Sequence, residues 1–370
     1  MNVLPNGLKS RFSLFSLDEW VILILTATVF LPFPAGAAGA GLAAVYVLGK
    51  MIVQKKAYVR KGLWLVQIWA ILTVVVTALN HNLYGFGVCL YFLLIVVYGL
   101  LVRENHSEHL QNAMLPLLAF LSIPACAVAV IQVVFDISIF SDRAASTFVN
   151  PNYYAYICEL FILLCVFALT EKMKPRWLFW LAIPVNLVGI FLSGCRSAWP
   201  AVGAGLLLLF ILKGGKRNKR VVFIGIGIAV VAVICLLLFP VLVPRESNFP
   251  RSVHLREMIW TEAWHIFAAR PLFGGGFLGY QLYSVHAGEA FRVHAHNILL
   301  DMLDNFGLVG CALIGVYSVR VIFHRIQDFH RDRMIPLFLA VLLATAIHGI
   351  TDVPILGSQS GTFIMLLLAL

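Results

Sequence analysis

The sequence predicts an all-α polytopic membrane protein, with about 12 transmembrane helices and one long loop on the outer face. Three observations carry that expectation. Of 370 residues, 61% are hydrophobic and 12% charged, against roughly 25% charged residues in a soluble domain. Apolar runs recur at about the 17–25 residues that a bilayer crossing requires. Lysine and arginine collect in alternate connections between those runs, as they do on the cytoplasmic side of membrane proteins.

The spans read from hydropathy lie near residues 20–33, 36–53, 63–80, 83–102, 113–134, 152–170, 177–193, 198–212, 221–243, 298–319, 335–350 and 355–370. No stretch separates as a soluble unit, so residues 1–370 are read as a single transmembrane domain. Residues 244–297 form the long loop within it. The polar start, Met1 to Glu19, lacks a small-residue cleavage pattern and is not read as a removed signal peptide. The basic connections at 54–61, 172–176, 213–220 and 320–333 then share one side, the cytoplasm, with both termini. This accounts for much of the net charge of +10 without nucleic acid. The seven cysteines form no CxxC pair. That argues against a disulfide framework or thiolate metal site, and leaves them as small apolar residues within helices.

On the outer face this topology leaves seven cations, Arg143, Arg196, Arg245, Arg251, Arg256, Arg270 and Arg292, while all ten lysines fall on the other side. A guanidinium grips phosphate oxygens with a two-pronged fork, where lysine offers a hydrated point charge. The pattern points to an anionic, phosphate-bearing ligand. Long loops without a function are uncommon. In this one, residues 254–267 carry apolar residues at helical spacing (Ile259, Ala263, Ile266, Phe267), an amphipathic helix that Arg270-Pro271 ends and Gly274-Gly275-Gly276 follows as a turn.

The candidate chemistry gathers at Arg292, His294, His296 and Asn297, where the loop re-enters the membrane. His296 suits a general base. Zinc needs three or four protein ligands, for which His254, His265, His286 and Glu289 are further candidates; the spacing matches no standard metal pattern, and neither metal nor cofactor is expected. Arg196 lies in a tight turn, and a charge so near the hydrocarbon is usually functional. Arg251 and Arg256 flank the start of the amphipathic helix, where an anion is favoured. Arg143 precedes Asn150 and Asn152, which bracket a proline at the mouth of a span; such amides bond sugar hydroxyls or cap helices. Glu159 is the one acid placed deep in a span, too little for a proton or ion pathway.

Four blocks in this order resemble the O-antigen ligase and polymerase superfamily of membrane glycosyltransferases. They are Arg143 through Asn150-Pro151-Asn152; Ser193-Gly194-Cys195-Arg196-Ser197; Arg256 through Trp260 to Arg270 and the glycine triplet; and His296-Asn297 with Gly307 and Gly310. Arg251-Ser252-Val253-His254-Leu255 is similar to a further ligase element. Cys195 departs from the pattern, standing where serine is common. The resemblance implies a GT-C-type fold in a bacterial inner membrane, with the active site facing the periplasm. It also implies inverting, metal-independent transfer of a glycan from undecaprenyl diphosphate. His296, Arg196 and Arg256 would be catalytic; Arg251, Arg143, Arg292, Asn150, Asn152, His294 and Asn297 would bind substrate. The acceptor would be lipid A–core for a ligase, or a second lipid-linked glycan for a polymerase. A lipid-linked glycan flippase is the non-enzymatic alternative.

Overall fold

Apolar sequence in lipid must satisfy every backbone group internally, and a helix does this within one segment. The computed structural model describes residues 15–55, 63–140, 142–214, 249–286 and 292–370, and among them it holds helices and no strand. In chain order these are α1 (Leu17–Thr28), α2 (Phe33–Gln54), α3 (Trp64–Leu79), α4 (Leu83–Glu104), α5 (Glu108–Val134), α6 (Pro151–Thr170), α7 (Arg176–Ser193) and α8 (Ala198–Lys213). After the undescribed stretch come α9 (Phe249–Ala269), α10 (Gly279–His286), α11 (Ile298–Gln327), α12 (Ile335–His348) and α13 (Ser358–Ala369).

Each expected span that falls on described residues coincides with a helix; the one near 221–243 lies outside them. Three boundaries move by five residues or more, the first span ending at Thr28. The fifth span starts at Glu108 because the Ser107 hydroxyl caps it, accepting from the Leu110 amide at 3.1 Å. The tenth runs on to Gln327, with no helix breaker to stop it sooner. Six described helices (α2, α4, α5, α6, α7 and α11) are long and apolar enough to cross a membrane individually; α3, α8, α12 and α13 are apolar but shorter.

Side-chain contacts fix which helix ends lie together. Asp18 at the start of α1 meets Lys50 at the end of α2, and Glu19 meets His109 at the start of α5. Gln111 on α5 reaches the carbonyl of Leu370. The two ends of the described chain therefore lie toward the same end of the bundle. The starts of α6 and α11 and the ends of α7 and α12 meet at the other.

α6 is the central column, buried from Tyr153 to Ala168 on nearly every side. Small residues let its neighbours close on it. A Cβ at Gly189 of α7 would fall 2.6 Å from the Tyr154 hydroxyl, and one at Gly205 of α8 would fall 2.9 Å from Leu163.

The helix read from residues 254–267 is α9, longer at both ends. Its inner side buries Ile259, Ala263 and Phe267, and the first two pack with Tyr280 of α10 and Ala295. Its outer side mixes exposed Leu255, Met258 and Trp264 with His254, Glu257 and His265. The turn after α9 docks onto a break in α11, where Gly307 adopts φ 60°, ψ −171°. The break frees backbone groups on both sides. The amides of Gly275 and Gly276 donate to the carbonyls of Asp304 and Asn305 at 2.7 and 2.9 Å; the amides of Leu308 and Val309 donate to those of Pro271 and Leu272 at 2.8 and 3.0 Å. The fit demands glycine. A Cβ at Gly307 would sit 2.5 Å from the backbone of Leu272, and one at Gly310 would sit 2.6 Å from Phe306.

Candidate active site

His296 is held from three directions before its ring does anything. The next residue, Asn297, caps α11, its side-chain oxygen accepting from the amides of Leu299 and Leu300 at 3.0 and 3.1 Å. The Asn297 amide group donates to the Ile350 carbonyl at 3.0 Å, and the amide of Ile298 donates to that of Gly349 at 2.8 Å. Trp260 of α9 donates its indole N–H to the His296 carbonyl at 3.3 Å. His296 itself takes φ 49°, the left-handed region that a non-glycine residue enters only when its surroundings enforce it.

This backbone aims the imidazole at a carboxylate. His296 Nδ1 lies 3.1 Å from Oδ1 of Asp352, which is buried in the connection after α12. The Val353 amide donates to the same oxygen at 2.8 Å, and Asn152 donates its side-chain N–H to Oδ2. Arg143 donates in turn to the Asn152 side-chain oxygen and to the Ser193 carbonyl, the latter at 2.7 Å. His294 completes the group. Its Nδ1 accepts from the His296 amide at 3.2 Å, and its Nε2 lies 3.5 Å from Asp352 Oδ1.

These partners set the protonation states. Burial pushes the His294 imidazole down to about 4, against the opposing pull of the Asp352 charge. That ring stays neutral, with its proton on Nε2 because Nδ1 is an acceptor. Burial alone would raise the Asp352 carboxyl. The hydrogen bond from His296, foremost among its histidine contacts, outweighs burial and holds Asp352 well below the usual carboxylate range. With Asp352 ionised, the His296 proton resides on Nδ1, an assignment made from the partners. Nε2 keeps its lone pair, on a side chain 29% exposed. A carboxylate that fixes the imidazole tautomer and stabilises the imidazolium is the arrangement of a general base.

Two arginines meet on the first turn of α9. Arg196 follows Gly194, whose φ of 62° turns the chain at the end of α7. Its Nη2 donates to the Ser252 hydroxyl at 3.0 Å. Arg256 donates through Nη1 to the Ser252 carbonyl at 3.4 Å, and through Nε to the carbonyl of Thr351, the neighbour of Asp352, at 3.1 Å. Arg251 is exposed on that same turn.

Of the residues singled out in the sequence, His296, His294, Asn152 and Arg143 thus converge on Asp352, while Arg196 and Arg256 converge on Ser252. Asn150 and Asn297 cap α6 and α11. Arg292 faces Glu262 of α9 at 3.5 Å, beside the hydrogen bond from Tyr280 to that carboxylate. Sequence reasoning missed Asp352, Ser252 and Thr351. Asp352 had a signal: it is the one acid after Asp332 in an otherwise apolar stretch.

His294, His296 and Asp352 place three ligand atoms within 4.8 Å of one another, the number of protein ligands in a catalytic zinc site. Of the further zinc candidates, His254 and His265 face outward on α9 and Glu289 lies outside the described residues. Hydrogen bonds engage His294 Nδ1, Asp352 Oδ1 and, from Asn152, Asp352 Oδ2.

The helices and this polar cluster define a multi-pass membrane protein with a histidine–carboxylate pair at one end of its bundle. Residues 177–315 match the family described as O-antigen ligase. A curated O-antigen ligase of Pseudomonas aeruginosa is 25% identical over 138 residues, 37% of this chain and 33% of that relative. The match thus spans about a third of the relative's length. Over this segment the chain is similar to the O-antigen ligase and polymerase superfamily. The matched segment contains Arg196, Arg251, Arg256, His294 and His296, while Arg143, Asn152 and Asp352 lie outside it.

Proposed function

We propose that the protein transfers a glycan from undecaprenyl diphosphate to a sugar hydroxyl of lipid A–core, at the periplasmic face of a bacterial inner membrane. The observation that carries this reading is the His296–Asp352 pair, set beside two guanidinium groups that share Ser252. The acceptor hydroxyl oxygen attacks the anomeric carbon as its proton passes to His296 Nε2, and Asp352 stabilises the imidazolium. The bond from that carbon to the diphosphate oxygen breaks on the opposite face, and the configuration inverts. Undecaprenyl diphosphate leaves with the electron pair. Arg196 and Arg256 are the donors for the charge that develops on it, with Arg251 at the rim, where fixed donors lower the barrier.

Purified protein reconstituted with undecaprenyl-diphosphate glycan and lipid A–core, with EDTA present, tests this. Glycan on lipid A–core is the expected result. Extension of the lipid-linked glycan alone would make the enzyme a polymerase, the same chemistry with a second donor as acceptor. Activity abolished by EDTA and restored by zinc would assign His294, His296 and Asp352 to a metal. No transfer to either acceptor would leave a carrier role for lipid-linked glycan.

A further inference from the structure

The reaction proposed above makes no use of the most deeply buried ion pair among the described residues. Glu159 of α6 and His348, the last residue of α12, are both fully buried, with Nδ1 and Oε2 2.9 Å apart. The second Glu159 oxygen is buried without a partner. Two ionisable groups in the apolar centre of a membrane bundle are costly and are retained for a reason.

Position supplies the reason. Glu159 follows Asn152 by seven residues, two turns of helix, so the two side chains share one face of α6 about 10 Å apart. Asn152 holds Asp352; Glu159 holds His348, four residues earlier at the end of α12, where that connection begins. One face of α6 therefore grips the segment that carries Asp352 at two points. The other nitrogen of His348, Nε2, lies 3.8 Å from the thiol of Cys195, the residue before Arg196. That thiol is 3.3 Å from the Ser197 hydroxyl. A single buried ring thus touches both the connection that orders the base and the turn that presents the arginine. Tyr156, which bonds Thr345 at 2.8 Å and meets the His348 ring edge-on, closes the side of the cluster.

We infer that Glu159 and His348 are positioning residues, which hold the Asp352 connection and the Arg196 turn in register for transfer. The inference rests on the transfer reaction proposed above. Its test compares wild type with Glu159→Ala, Glu159→Gln, His348→Ala and Cys195→Ala, each full length in nanodiscs. The readings are kcat, donor KM, and backbone hydrogen exchange at residues 194–199 and 349–353. Glu159→Ala and His348→Ala are expected to lower kcat about 100-fold, the cost of a misplacement near 1 Å, with donor KM changed much less. Glu159→Gln keeps an acceptor for His348 and recovers most of kcat. Exchange rises in both segments in the two alanine variants, and in 194–199 alone for Cys195→Ala.

Wild-type kcat in both alanine variants, or unchanged exchange in the two segments, would overturn the inference. So would equal losses in Glu159→Ala and Glu159→Gln without a split between kcat and KM, the mark of a merely structural role. Should the Glu159 and His348 variants fail to fold, Cys195→Ala decides: protection of 194–199 must drop. Should wild type transfer to neither acceptor, the proposed function falls, and the exchange measurements still decide the register.

Discussion

The two ends of the bundle treat charge differently. At the end where α1 begins and α13 finishes, cations meet carboxylates. Lys50 pairs with Asp18, Lys213 with Glu171, Arg325 with Asp332 at 2.7 Å, and Arg333 with Glu108 at 3.0 Å, with Gln111 and Asn112 completing its fork. At the end that holds His296, Arg256 donates to two carbonyls, Arg196 to a hydroxyl, and Arg143 to a carbonyl and an amide oxygen. One buried carboxylate there, Asp352, faces imidazoles instead. Arg292 pairs with Glu262 beside them. Neutral acceptors fix the direction of the Arg256 guanidinium without a carboxylate. One end sets lysines and arginines against carboxylates, while the other turns Arg256 to backbone carbonyls and sets Asp352 against imidazoles.

The comparison breaks first at the base. His296→Ala should lower kcat by about 10²–10⁴, the usual share of a general base; Asp352→Asn should come close to it, since it frees the wrong tautomer. Full activity in Asp352→Asn, measured by gel shift of lipid A–core, would remove Asp352 from the reaction. Next come Arg256→Lys and Arg196→Lys, each expected to cost about 10²–10³ if directed donors stabilise the leaving diphosphate. Retained rates would show that charge alone suffices.

A smaller effect concerns acid. His294 is held at about 4 against an ordinary value of 6.5, so between those values the unfolded chain takes up a proton that the native ring refuses. Stability is therefore complete above pH 6.5 and falls as the pH drops toward 4, by about 3 kcal/mol at most. Asp352 acts in the same direction lower down, its contribution lost as pH falls below about 3.8. Thermal midpoints across this range should decline in wild type and flatten in His294→Gln. The smallest change belongs to the opposite end. Arg333→Ala should leave kcat unaltered and shift stability by about 1 kcal/mol or less, as for exposed ion pairs; a large loss of transfer would erase the contrast between the ends.

Hydropathy made the helices legible, because lipid imposes one backbone solution on apolar segments. The His296, Arg196 and Arg256 positions were legible too, since charges at span ends are few. The partner of His296 was not: it lies 56 residues downstream, and no local spacing encodes a contact made by tertiary packing. The roles of Asn150, Asn297 and Arg292 were open for a related reason. An amide beside a helix start serves cap or ligand equally well until the geometry shows the cap, and only the fold brings Glu262 to Arg292.

The break in α11 at Gly307 reaches further than the shape of one helix. Four backbone hydrogen bonds cross between residues 271–276 and 304–309, and each half supplies groups that the other half needs. The two segments behave as one cassette split by intervening sequence. Exchange of the outer loop between relatives would have to carry both halves together. A chimera bearing 271–276 from one parent and 304–310 from another, with a side chain in place of Gly307, should lose its single sharp peak in size-exclusion chromatography. Restoring the matched half should bring that peak back.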